Sequence, residues 1–180
     1  MRVQEKLFFT NYHKVLFFLI SNPTYKYTEK EIKEATNVSR AGINFALKDL
    51  AEDNLVVVEK RGKMSFYTVD LKNPLIKQLK LIANLILLEP LLTKLRSVSQ
   101  KVVLFGSAAS GTNIEESDFD LFVLSNNLKK ILDIVRDSQL AEKIQLIVKK
   151  PIDVPSLKKK DPIFYDEIKR GLVLWERENE

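Results

Sequence analysis

The segment VVLFGSAASGTNIEESDFDLFVLS, from Val102 to Ser125, concentrates the residues able to do chemistry. Gly106 and Ser107 follow a short apolar run, a second glycine stands at 111, and Ser117-Asp118-Phe119-Asp120-Leu121 enters the next apolar run. On a strand, side chains two residues apart share a face, so Asp118 and Asp120 project together while Phe119 and Leu121 pack on the other side. Adjacent carboxylates are unfavourable without a cation, and oxygen-only ligands suit Mg²⁺ or Mn²⁺. Gly106, lacking a Cβ, lets the backbone approach a phosphate closely, and the Ser107 hydroxyl and neighbouring amides can donate to its oxygens. The spacing GS-x3-G-x5-SD-x-D therefore assembles the parts of a metal-assisted phosphoryl or nucleotidyl transfer centre.

The elements that must hold these residues follow from hydrophobic periodicity. Val102–Phe105 and Phe119–Leu124 read as buried strands, Leu128–Asp137 as a helix and Ile144–Val148 as a third strand. Ile163–Arg170 reads as a helix closed by Gly171 before a short strand, Leu172–Trp175. Asp133 and Asp137 are expected to face solvent from their helix. Lys149, Lys150 and Lys158 to Lys160 read as solvated charge, and Tyr165 and Trp175 as packing residues.

At these residues the sequence resembles the nucleotidyltransferases of the DNA polymerase beta superfamily, and most of all its minimal nucleotidyltransferase group, from Val102 to Trp175. The closing DEIKRGLVLWE is similar to that group's final helix and strand. The resemblance implies that Gly106, Ser107, Gly111 and Ser117 bind a nucleoside triphosphate, the first two at its β,γ-phosphates. It further implies that Asp118 and Asp120 are catalytic and hold the Mg²⁺ or Mn²⁺ that carries the nucleotide. In active members a third carboxylate on a later strand helps bind a second metal and activates the acceptor hydroxyl. The position aligned with it here is Gln145, whose amide has no charge with which to hold a cation or accept a proton. Asp153, just after that strand, is the nearest replacement, and Ser110 stands where many minimal members carry arginine. The activity implied is transfer of a nucleoside monophosphate to a hydroxyl on a protein, RNA or small molecule, a protein acceptor being the partner of antitoxin-like members. The alternative is a transcriptional regulator that binds nucleotide without catalysis because of Gln145.

The first half is organised differently. Apolar residues between Asn11 and Ser21 recur at helical spacing and stop at Asn22-Pro23. Thr28-Glu29-Lys30-Glu31 has the spacing of a capping box opening a second helix, and Ser39 caps a third in which Ile43, Leu47 and Leu50 recur. Leu55–Glu59 and Met64–Val69 read as strands joined by the basic turn Lys60-Arg61-Gly62-Lys63. Over residues 8–70 this order resembles the winged helix-turn-helix family. The resemblance implies that Arg40, Ala41, Asn44 and Lys48 face DNA from the third helix, with Phe45 near that face, and that Arg61 and Lys63 meet it from the wing. His13, on a helix rich in Phe and Leu, reads as structural.

Residues 74–95 read as an apolar helix that packs as a core or linker element or forms a homodimer seam, and Pro90 is expected to end or kink it near Glu89. The domains expected are thus 1–73 (winged helix), 74–98 (linker helix) and 99–180 (nucleotidyltransferase-like, with a small mixed sheet), an α+β chain. The composition agrees. Among 180 residues there is no cysteine and one histidine, which excludes disulfides, zinc ribbons and thiol nucleophiles. The net charge of +5 divides unevenly: residues 1–100 carry 16 Lys+Arg against 10 Asp+Glu, net +6, and the remainder 13 against 14, net −1. A basic excess in the first half suits a polyanion. No signal sequence and no membrane-spanning stretch is read, so a cytoplasmic location is expected.

Overall fold

A computed structural model describes residues 10–177. The chain is an α+β protein that divides into two compact units, Met1–Ile86 and Leu87–Glu180.

In the first unit, α1 (Asn11–Ser21) is opened by Thr10, whose hydroxyl accepts from His13 N at 3.2 Å. Helix α2 (Glu29–Thr36) begins at the Thr28–Glu31 capping box and ends at Asn37 in the left-handed region, φ 54°. Helix α3 (Arg40–Glu52) is capped by Ser39 and buries Ile43, Ala46, Leu47 and Leu50 against Val15, Leu16, Leu19 and Ile20 of α1. Each such fully buried aliphatic side chain contributes about 1.5–3 kcal/mol. Gly42 has its reason here: a Cβ would stand 2.9 Å from Val38 Cγ1 and 2.5 Å from Asn11 Nδ2, so the starts of α1 and α3 meet through a residue without a side chain. Strands β1 (Val57–Arg61) and β2 (Met64–Thr68) form an antiparallel hairpin turning at Gly62, φ +61°. A bridge between Tyr27 and Tyr67 ties the approach to α2 onto β2, a pairing the sequence pattern did not announce.

Helix α4 (Pro74–Arg96) contains the boundary between the units and does not end at Pro90. Proline inside a helix costs about 3 kcal/mol. Leu88, Leu91, Leu92 and Leu95 are all buried, which offsets that cost and carries the helix onward. No helix among the described residues is long and apolar enough to cross a membrane.

The second unit is built on a small mixed sheet. Strand β3 (Lys101–Phe105) runs into one helical turn, Gly106–Ala109; β4 (Phe119–Leu124) is followed by α5 (Leu128–Arg136) and β5 (Ile144–Lys149). A short helix absent from the sequence reading, α6 (Val154–Lys160), precedes α7 (Pro162–Arg170) and β6 (Leu172–Glu176). The strand order is β5-β4-β3-β6, with β4 and β5 parallel and β3 antiparallel to both its neighbours. Val103, Phe105 and Phe122 of the sheet pack with Ile168 and Phe164 of α7.

Candidate active site

The centre is made where β3 ends. Gly106 has φ +68°, a left-handed conformation that costs an L-residue, and a Cβ there would fall on Oδ2 of Asp120 and 3.2 Å from its Cγ. The register explains the encounter, because Phe105 pairs with Asp120 across the antiparallel ladder. Glycine thus serves two ends at one position: it turns the chain into the helical turn and makes room for a carboxylate. The Ser107 carbonyl accepts from Thr112 N at 3.0 Å and Ser110 Oγ at 3.0 Å, which folds the following loop back on the turn. The Ser107 hydroxyl makes no hydrogen bond among the described residues. Gly111, φ +66°, is buried, and the Ser117 hydroxyl accepts from Ile114 N at 3.0 Å. Of the four residues assigned to nucleotide, Gly106 and Ser107 therefore sit at the turn, while Gly111 and Ser117 shape the loop beneath it.

Asp118 is exposed, one residue before β4, and Asp120 is the half-buried second residue of that strand. Burial first, then the charges of Asp118 and Glu167, push the Asp120 carboxyl above the usual carboxylate range. No described residue donates a hydrogen bond to it. A half-buried carboxylate facing two others and no donor has an electrostatic deficit that a cation relieves.

Gln145 stands directly opposite Asp120 in the parallel ladder and is exposed. Asp153 does not replace it. Phe119 pairs with Ile144 and Leu124 with Lys149, so the chain leaves β5 at the end of the sheet away from Asp120. Five residues of strand span about 16 Å. Asp153 lies beyond that end, in the short turn Pro151–Asp153, and Lys149 and Lys150 are likewise on the far side. Asp133 and Asp137 both pair with Arg136, at 3.0 and 3.2 Å. Lys158 lies over the Tyr165 ring at 5.9 Å, and Arg96 over Trp175 at 6.0 Å.

A carboxylate outside the glycine and aspartate motif, Glu167, also acts on Asp120 through its charge. Helix α7 is held on β3 by an edge-to-face contact of Phe164 with Phe105, ring centroids 5.8 Å apart, and by Gly171. Gly171 has φ −65°, so conformation does not require it; a Cβ would stand 2.7 Å from both Leu104 O and Val103 Cγ1. That clamp faces Asp166, Glu167 and Arg170 toward Gly106 and Ser110 across an open groove of about 590 Å³. The signal for it in the sequence is the run DEIKRG, in which Glu167 flanks the face of the helix that carries Phe164 and Ile168 while Asp166, Lys169 and Arg170 lie opposite that face.

In the first unit, Arg40, Ala41, Asn44 and Lys48 are all exposed on α3, and Phe45 is 71% exposed. Arg40 and Lys63 line one groove with Lys30 and Lys33. Lys33, Arg40 and Lys63 make no ion pair among the described residues. Lys48 pairs with Glu52 at 3.8 Å, and Arg61 is held by Glu59 at 2.6 Å and lies over Phe66 at 5.0 Å.

A left-handed glycine turn thus packs on the Asp120 carboxylate, and Asp118 stands two residues before it at the entry to β4 of a small mixed sheet. The family model described as Polymerase beta, Nucleotidyltransferase matches residues 88–180, just over half of the 180-residue chain, and the chain belongs to that family. No curated protein and no solved structure matches it.

Proposed function

We propose that this chain is a metal-dependent nucleotidyltransferase that moves a nucleoside monophosphate from a nucleoside triphosphate to a hydroxyl acceptor, and that its first unit is a winged helix-turn-helix that binds DNA. The observation that carries the transferase reading is the interlock of Gly106 with Asp120: the missing Cβ is the space the carboxylate occupies. Asp118 and Asp120, offering only oxygen, fit Mg²⁺ or Mn²⁺. Such a cation, when bound, neutralises charge on the triphosphate. The Gly106 and Ser107 amides and the Ser107 hydroxyl donate to phosphate oxygens, and the open groove beside them leaves the site accessible to an acceptor as large as a protein. Titration of the chain with Mg²⁺ and each nucleoside triphosphate is expected to give metal-dependent binding that Asp118→Asn and Asp120→Asn each abolish. Metal-independent binding unchanged in both variants refutes the assignment.

Gln145 opposite Asp120 favours a second reading, in which nucleotide is a ligand of a regulator and is not turned over. The two readings part on whether pyrophosphate is released. DNA binding is supported by the groove of Lys30, Lys33, Arg40 and Lys63, three of whose cations make no ion pair among the described residues. Each cation that neutralises a phosphate contributes roughly one unit to the slope of log affinity against log salt. Duplex affinity is therefore expected to fall with salt, less steeply in Arg40→Ala/Lys63→Ala; an affinity indifferent to salt and to both substitutions rules the first unit out as a DNA reader.

A further inference from the structure

The strand position beside Asp120 holds an amide, yet another element sets a carboxylate across a groove from Gly106, the glycine on which Asp120 packs. Glu167 comes from α7, and the fold fixes that helix twice: Phe164 packs edge-to-face on Phe105, the cross-strand partner of Asp120, and Gly171 lets the end of the helix lie on the Leu104 carbonyl. Between the helix and the Gly106 turn runs the open groove, with Glu167 on one wall and Gly106 on the other. Glu167 makes no ion pair among the described residues, although Lys169 and Arg170 are on the same helix. No three acidic groups among the described residues converge closely enough to hold one metal ion, so Glu167 is not a third ligand beside Asp118 and Asp120. A carboxylate without an ion-pair partner among the described residues, set across an open groove from the Gly106 turn, is placed to receive a proton from a group held in that groove.

We propose that Glu167 is the general base of this site, supplied by the C-terminal helix in place of the strand carboxylate that Gln145 lacks, and that the acceptor hydroxyl enters along the groove between α7 and the Gly106 turn. The proposal rests on the transferase reading above. In the step it describes, the acceptor O–H bond breaks and its proton passes to the Glu167 carboxylate. The acceptor oxygen forms a bond to the α-phosphorus, and the bond from that phosphorus to the bridging oxygen of the β-phosphate breaks. Pyrophosphate leaves with the electron pair, and Glu167 returns its proton to water. Nothing is oxidised or reduced.

The experiment uses the full chain with Mg²⁺ and each of the four common ribonucleoside triphosphates, reading nucleotide affinity by calorimetry and pyrophosphate release with water and glycerol as acceptors. Glu167→Gln is expected to keep the melting temperature and to bind nucleotide within about twofold of the parent. Its pyrophosphate release should fall about 100-fold or more, the range for loss of a general base. Gln145→Glu in the Glu167→Gln background is expected to restore release, because position 145 faces Asp120 from the neighbouring strand. Release by Glu167→Gln within threefold of the parent overturns the proposal. So does a parent chain that binds nucleotide but releases no pyrophosphate, since Glu167 then acts as no base. A parent chain with no metal-dependent nucleotide binding overturns the transferase reading itself, which the affinity arm detects independently of the release arm.

Discussion

Three glycines in this chain separate two physical terms that are usually entangled. Gly62 has a positive φ, +61°, and nothing within 4 Å of where a Cβ would be. Gly171 has an ordinary φ but is pressed against backbone, and Gly106 has both a positive φ, +68°, and a neighbour in the way. Alanine at Gly62 then incurs only the left-handed penalty, about 1–2 kcal/mol. A chain of this size melting as one unit loses about 2–4 °C per kcal/mol, and a unit melting alone about twice that. Alanine at Gly171 meets Leu104 O and Val103 Cγ1, atoms of a central strand that cannot retreat, and overpacking of this kind costs about 1–3 kcal/mol.

Gly106→Ala is the informative case. Its neighbour is the carboxylate end of a side chain, which can rotate away. The expected loss of stability therefore resembles that of Gly62→Ala, about 1–2 kcal/mol. What the rotation removes is the position of Asp120. Magnesium-dependent nucleotide affinity should fall at least tenfold, which is about 1.4 kcal/mol of binding, while Gly62→Ala leaves it unchanged. Thermal melts and calorimetric titrations of the three variants decide the matter. Parental nucleotide affinity in Gly106→Ala refutes the claim that the glycine exists to seat Asp120. A melting loss far larger than that of Gly62→Ala shows instead that the carboxylate is rigidly held.

The carboxyl of Asp120 has a folded-state pKa above its unfolded value. The stability attached to it is therefore present at pH below the unfolded value and is lost as pH rises through the folded one. Without divalent metal, Asp120→Asn should melt higher than the parent at pH 7 and show a flatter profile above pH 4; an unchanged profile counts against the burial and charge that raise it. Glu59 has the opposite sign. Hydrogen bonds from Lys26 and Arg61 hold it at about 2, so its stabilising effect is present above the ordinary 4.5 and is lost as pH falls toward 2. Glu59→Gln should lose that acid-range slope, read by melts at pH 2 to 6. Replacing exposed Pro90 by Ala inside α4 restores a helical N–H and should raise stability by about 1–3 kcal/mol; a lower melting temperature would show that the proline is packed rather than tolerated.

Much of the second unit was legible because its cues are local. Strands β3 and β4 show as apolar runs, and the Gly106 turn and the Asp118/Asp120 spacing are set by residues adjacent in sequence. The pairing of Asp120 with Gln145 could be anticipated only through the family resemblance, and the register of β4 with β5 puts the two side by side. Helix α6 is hidden in the sequence because its three consecutive lysines read as solvated charge, whereas proline near a helix start and lysine in its last turn are compatible with a helix. Of the two outcomes expected at Pro90, an end or a kink, the end does not occur: a local rule about proline yields where four buried leucines, a tertiary term, carry the helix on.

The placement of Asp153 and Glu167 shows where sequence proximity misleads. Asp153 is eight residues from Gln145 in the chain, but strand direction carries it to the far end of the sheet. Glu167 is more than twenty residues away and comes to line the groove by Gly106 because β6 returns antiparallel to β3 and draws the end of α7 with it. Pairing β6 with β3 fixes which end of α7 meets the Gly106 turn, and Gly171 fixes how closely. Topology, rather than spacing, therefore decides which acid is available to a centre whose neighbouring strand offers an amide. A Gly171→Ala chain that keeps metal-dependent nucleotide binding but loses pyrophosphate release would locate the helix, and not the strand, as the source of the third carboxylate.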